Sequence, residues 1–199
     1  MHSSGNVIPF SFDLSTLVQR SVASLYSHLV TRPTGRALRL DIESQIGEIG
    51  SVCLSVLDFT QVVVLDYSCA DEAVAKLIQR YQMADRPADA YFVARGLGEQ
   101  HRDPIDEVLI RHDLALVAEV EGEFTLLGRC DELEQGAWHA LQRVHLGRAE
   151  DVAEEIADLD ARPSDVGAAL ERLAARRVVL RRGAPDSFCA LTTLLPVAS

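Results

Sequence analysis

The chain has 199 residues, enough for one large domain or two small ones, and its 48% of hydrophobic residues suits packed cores rather than disorder. A formal net charge of −11 excludes a general polyanion binder, because sequence-independent nucleic-acid affinity comes from neutralising phosphates with cations. No apolar run approaches a membrane span, no charged-then-apolar leader opens the sequence, and four scattered cysteines form no Cys-x-x-Cys pair, so a reduced, cytoplasmic protein is expected.

Residues 7–12 suit a short edge strand, since Pro9 bars a central one. Ser15 is a credible N-cap for a helix carrying Leu17, Val18, Val22, Leu25, Tyr26 and Leu29, ended by Arg32-Pro33. Thr34 then caps a second helix with Leu38, Leu40, Ile42 and Ile46 on its apolar side, closed by Gly47 and Gly50. Residues 53–59 are strand-like. The run Val62-Val63-Val64-Leu65 suits a buried parallel strand that stops at Asp66. A helix over 68–81 follows, with Ala70, Ala73, Val74, Leu77 and Ile78 on its apolar face. After a turn at 85–87 come a strand over 90–94 and a helix opened by Pro104. Residues 114–120 and 123–127 read as a hairpin about the Glu121-Gly122 turn. Strands alternating with helices predict a layered α/β domain over residues 1–128.

The pattern changes after Gly128. Asp131 starts a helix with Leu133, Ala137, Trp138 and Leu141, and a short helix covers 149–156. Ser164, after Pro163, caps a third helix with Val166, Ala169, Leu170 and Leu173. Residues 178–180 and 188–191 flank a Gly/Pro tip. Three helices and a two-stranded hairpin are the order of a winged helix, an α+β domain over residues 129–199.

Two resemblances follow from these residues. The segment Leu57-Asp58-Phe59-Thr60, Ser68-Cys69-Ala70-Asp71-Glu72 and Lys76-Leu77 resembles the STAS fold of sulfate transporters and anti-sigma-factor antagonists. Within it the chain is similar to a divergent group that also carries Arg-x-x-Gly-x-x-x-Arg, here Arg32, Gly35 and Arg39. In anti-sigma-factor antagonists a serine at this junction is phosphorylated by a partner kinase. The usual Asp-Ser-Ser-Gly reads Asp66-Tyr67-Ser68-Cys69 here. The resemblance therefore implies a docking surface for a GHKL-type kinase or anti-sigma-like factor, built from Arg32, Arg36, Arg39, Asp66 and Asp71, with Ser68 as the phosphosite. The run 169–179 resembles the recognition helix and first wing strand of MarR-like regulators, which implies a homodimer on double-stranded DNA contacted by Ser164, Arg172, Arg176, Arg181 and Arg182.

Plainer readings stand beside these. Ser68 with Asp71 has the spacing of a capping box. The three arginines of residues 32–39 suit an anion or acidic partner, or equally ion pairs with Asp41 and Glu43. Asp165 and Glu171 lie on the same helix face as Arg172 and oppose phosphate, so the C-terminal module suits protein contact as well as DNA. The histidines show no metal-ligand spacing and no nucleophile–base pair appears, so neither an enzyme nor a cofactor is expected. Cys69 at a helix N-terminus suits a redox thiol or a buried small residue.

Overall fold

The structure, a computed structural model, describes residues 19–50, 52–156, 161–182 and 186–195, and for 19–22 the backbone only. The expected edge strand over 7–12, and Ser15, Leu17 and Val18, lie outside the described residues, as does the wing tip at 183–185.

The fold is mixed α/β around a mostly parallel five-stranded sheet. Its strands are β1 (Gln19–Ser24), β3 (Cys53–Asp58), β5 (Ala90–Leu97), β6 (Ala115–Val120) and β7 (Glu123–Gly128), and they lie side by side in chain order. The first four run parallel, and β7 returns antiparallel from the hairpin turn expected at Glu121-Gly122. Between β1 and β3 come β2 (His28–Leu29) and α1 (Arg32–Ile49); between β3 and β5 come β4 (Val64–Leu65) and a continuous helical rod. That rod is α2 (Tyr67–Ala70), a π turn (Asp71–Ala75) and α3 (Lys76–Gln82). Helix α4 (Glu99–Arg111) joins β5 to β6. Parallel neighbours joined by crossovers of one hand carry all their helices on one face. Accordingly Cys53, Leu57, Phe92, Ala94, Leu116 and Ala118 share a buried cluster with Leu38, Ile42 and Ile46 of α1, Leu77 of α3 and Ile105 of α4.

The second face is covered by the C-terminal segment. Its elements are α5 (Glu132–Val144), β8 (Leu146–Gly147), α6 (Ala149–Glu154), α7 (Pro163–Ala175), β9 (Val179–Arg182), β10 (Ser187–Ala190) and a 3-10 turn (Leu191–Leu194). The three short strands form an antiparallel sheet in the order β8-β10-β9. Leu54, Val93, Ala115, Val117 and Leu126 of the large sheet lie in one buried cluster with Trp138, Leu141, Leu170 and Val179. The apolar layer therefore runs across Gly128. With both faces covered, parallel strands read as nearly continuous apolar runs, as Ala115–Val120 does.

Several local expectations are corrected. The helix expected over Val22, Leu25, Tyr26 and Leu29 is instead strand β1, which holds Val22, an irregular link through Leu25 and Tyr26, and β2, which holds Leu29. The apolar spacing there also fits a short buried edge followed by an exposed ribbon, and Gln19–Ser24 pairs along all of β3. Val62-Val63-Val64-Leu65 is not a central strand: only Val64 and Leu65 pair, with His28 and Leu29, and Val63 and Val64 face solvent. Helix α1 begins three residues earlier than expected, because Thr31 rather than Thr34 is its cap; Thr31 Oγ1 accepts from the Thr34 N–H at 3.2 Å. Gly50, at φ 66, ends it. Pro104 lies inside α4 rather than at its start, since Glu99 opens the helix and the His101 ring accepts from the Gly98 N–H. Ser164 is not the cap of α7, which starts at Pro163 after Arg162 with no side-chain cap.

Trp138 is the chain's single tryptophan and lies in the shared cluster. Urea unfolding followed by Trp138 fluorescence and by far-ultraviolet circular dichroism should give coincident midpoints, as expected of one cooperative unit. Trp138→Ala should lower stability by about 3–5 kcal/mol. Two separated transitions would show that the segments melt independently.

Candidate functional site

The heads of α1 and α2 meet, and the small size of Gly35 makes this possible. A Cβ there would lie 2.8 Å from the Cys69 carbonyl oxygen and 2.9 Å from Glu72 Cβ, so any side chain forces the helices apart. The Arg-x-x-Gly-x-x-x-Arg pattern thus has a structural meaning: its glycine allows contact and its arginines clamp it. Arg32 Nη1 donates to Asp71 Oδ2 and to Glu72 Oε1, each at 2.9 Å. Arg39 pairs with Glu43 at 3.0 Å and with Glu72 at 3.7 Å, and the Lys76 ammonium also binds Glu72. Of the plain pairings, Glu43 is borne out for Arg39. Arg36 is exposed and makes none of these bonds.

Asp71 and Glu72 open the π turn and are buried charges, which normally survive only when paired. Burial alone would raise both carboxyls. For Asp71, hydrogen bonds from His112 and Arg32 overcome it, and for Glu72 those from Lys76 and Arg32 do, so both sit below their ordinary values. His112 Nε2 lies 2.7 Å from Asp71 Oδ1 and ties the end of α4 to the same turn. The sequence gives no local sign of His112, which the fold brings from 41 residues away. Glu72 and Lys76 carried a signal in their i,i+4 spacing. A π turn inside a helix frequently marks a functional position.

Ser68 is half-buried in the first turn of α2 and is not the cap. Asp66 is: its Oδ1 accepts from the Cys69 N–H at 2.7 Å and from the Ser68 hydroxyl at 2.9 Å. The capping-box pairing of Ser68 with Asp71 is replaced because Asp71 turns away to Arg32 and His112. Cys69 is fully buried, and burial, then the charges of Asp66 and Glu72, push its thiol up to about 11. It is therefore a protonated small core residue at neutral pH rather than a reactive thiolate.

Around this helix head stand exposed apolar side chains, of which Tyr26, Val63 and Val64 were expected in cores. Tyr26 is 56% exposed, Val63 61% and Tyr67 46%, with Val30 and Val64 also open to solvent. They belong to one ribbon: the N–H groups of Val63 and Val64 donate to the Ser27 carbonyl, and that of Asp66 to the Leu29 carbonyl. Five exposed large apolar side chains on two short adjoining segments form a patch of the sort that marks interaction sites.

In the C-terminal segment the cations are engaged by acids of the same chain. Glu134 is almost fully buried and accepts from Arg172 Nε at 2.7 Å and from Arg176 Nη1 at 3.2 Å. Arg172 also binds Asp131, and Arg176 the Arg129 carbonyl and Asp113. Arg181 pairs with Glu171 and Asp186, Arg182 lies on β9, and Ser164 is exposed in the first turn of α7. Beside α7 an open hollow of about 450 Å³ is lined by Asp131, Glu132, Leu133, Ala161 and Asp165. Among the described residues no three His, Cys, Asp or Glu side chains are grouped as metal ligands, and no helix is long and apolar enough to cross a membrane.

No known protein family, curated protein or solved structure matches the chain.

The Glu72 clamp has a pH signature. Its carboxyl sits below the ordinary value of 4.5 in the fold, so its stabilisation is full above that value and is lost as pH falls through the lowered one. Glu72→Gln should therefore cost on the order of 2–3 kcal/mol at pH 7. The difference should shrink steadily once the pH drops below the ordinary carboxyl range, as followed by urea denaturation. A penalty of equal size across the acid range would show that shape, not charge, is what Glu72 supplies.

Proposed function

We propose that the chain is a non-enzymatic cytoplasmic regulator whose α/β part docks a protein partner at the head of α2, with Ser68 as the regulated position. The observation that carries this reading is the coincidence of an exposed apolar patch with a hydroxyl in the adjoining helical turn. The STAS-like residue pattern supports it, because in that family the same junction meets a kinase or an anti-sigma-like factor. A phosphate on Ser68 would add nearly two negative charges within reach of Asp66, which already holds the hydroxyl. The hydrogen bond to Asp66 would be lost and two like charges would face each other, so the helix head and the patch beside it would be remodelled.

A second reading, DNA binding by the C-terminal segment as a homodimer, is favoured by one feature. The order helix, strand, helix, helix, strand, strand with a β8-β10-β9 sheet resembles that of winged helices and supports this reading. Against it, the arginines that would meet phosphate must first leave buried or acidic partners. Freeing Glu134 from Arg172 and Arg176 would leave a buried charge unpaired, at about 3–5 kcal/mol. An acidic module with its arginines so held suits protein contact or dimerisation better than groove reading. We therefore rank partner docking first.

The test uses the full chain with candidate GHKL-type kinases from the source genome. Intact mass after incubation with ATP should show one phosphate, absent in Ser68→Ala. Val63→Asp should weaken partner binding in calorimetry at least tenfold, about 1.4 kcal/mol. Unchanged binding in both Val63→Asp and Ser68→Asp would end the docking reading. A gel shift that is lost in Arg172→Ala with Arg176→Ala would instead establish the DNA role.

A further inference from the structure

In a chain with 30 acidic and 19 basic side chains, free cations are scarce. Among the described side chains, each lysine and arginine but one has a partner. Arg32, Arg39 and Lys76 hold the buried carboxylates. Arg80, Arg86, Arg95, Arg102 and Arg111 each pair with a neighbouring acid, as do the arginines from 129 to 181, and Arg182 also has a partner. Arg36 is the exception. Its side chain is exposed and makes no hydrogen bond or ion pair with any described group.

Its position is as informative as its freedom. Arg36 follows Gly35, whose Cα packs on Cys69 in the same helical turn as Tyr67 and Ser68. Val30 of the apolar patch leads through the cap Thr31 directly into this helix. One turn beyond Arg36 on α1, Leu40 is 49% exposed. Arg32, engaged with Asp71 yet half open to solvent, stands one turn before. The helical turn of α1 that carries Arg36 therefore packs on the turn that carries Tyr67, which sets a cation beside the helix head although the protein as a whole is strongly acidic.

Resting on the docking reading above, we infer that the partner presents an acidic segment: apolar side chains that fill the Tyr26–Val63–Tyr67 patch, flanked by carboxylates that bind Arg36. The guanidinium fork takes a carboxylate in a bidentate pair, a geometry a lysine lacks. A net charge of −11 repels acidic chains at long range, so such a partner is recognised by local charge complementarity against the global field. This distinguishes the site from non-specific attraction, which would favour basic partners.

Two synthetic amphipathic peptides test it, one of leucine and glutamate and one of leucine and lysine in the same pattern, titrated into the full chain by fluorescence anisotropy. The acidic peptide should bind, and its affinity should fall at least tenfold in Arg36→Glu and in Val63→Asp. Arg36→Lys should recover only part of the loss. Circular dichroism and the thermal midpoint should stay unchanged in Arg36→Glu, because the Arg36 side chain holds no described group of the fold. Absence of acidic-peptide binding, or equal binding by Arg36→Glu, overturns the inference. If only the basic peptide binds and Val63→Asp abolishes it, the docking surface stands and its acidic partner does not.

Discussion

A carboxylate inside a protein must be neutralised or it titrates, and Glu72 imposes that requirement on the centre of this fold. It opens a π turn in the rod between α2 and α3, with 6% of its side chain exposed. Lys76 reaches it from one turn on, while Arg32 and Arg39 reach it from α1. Asp71 beside it recruits His112 from the end of α4. Three helices are thus pinned at one place, and Gly35 provides the close approach that the ion pairs need. The ribbon of β2 and β4, held by its own backbone hydrogen bonds, leads through Asp66 into the turn bearing Ser68, which directly precedes this clamp.

The large sheet supplies the rigid support. Its two faces are buried by different parts of the chain, the crossover helices on one side and the C-terminal segment on the other. Gln82 donates to the Arg176 carbonyl, and Arg177 binds Asp89 and the Ala90 carbonyl with its guanidinium 4.0 Å above the Tyr91 ring. The residue linking α7 to β9 is therefore fixed at the N-terminal end of the central strand β5, and Arg177 adopts the left-handed region there at φ 60. The same anchoring leaves the α7 arginines little freedom to turn outward.

Much of this architecture was legible from periodicity. The β3, β5 and β6 strands, the β6–β7 hairpin, α1, the rod after Tyr67 and α5 to α7 all follow from apolar spacing and turn residues. What failed did so for physical reasons. Residues 19–29 contain apolar positions that satisfy a helical period, yet tertiary pairing with β3 makes the first part a strand. The valines at 62–64 have the composition of a buried strand, and composition cannot tell a core from an exposed patch. Ser68 and Asp71 had capping spacing, but the long-range pull of Arg32 and His112 on Asp71 decided the matter. The arginines of residues 32–39 were legible as a group; that two are clamps, while Arg36 has no side-chain partner among the described residues, depends on which helix face meets α2.

The most direct test of the docking surface is amide hydrogen exchange on the full chain, with and without a bound partner. The account predicts new protection at residues 26–30 and 63–68 and none along 164–176. Protection confined to α7, with the ribbon and the Ser68 turn unchanged, would contradict it and move the functional surface to the C-terminal segment.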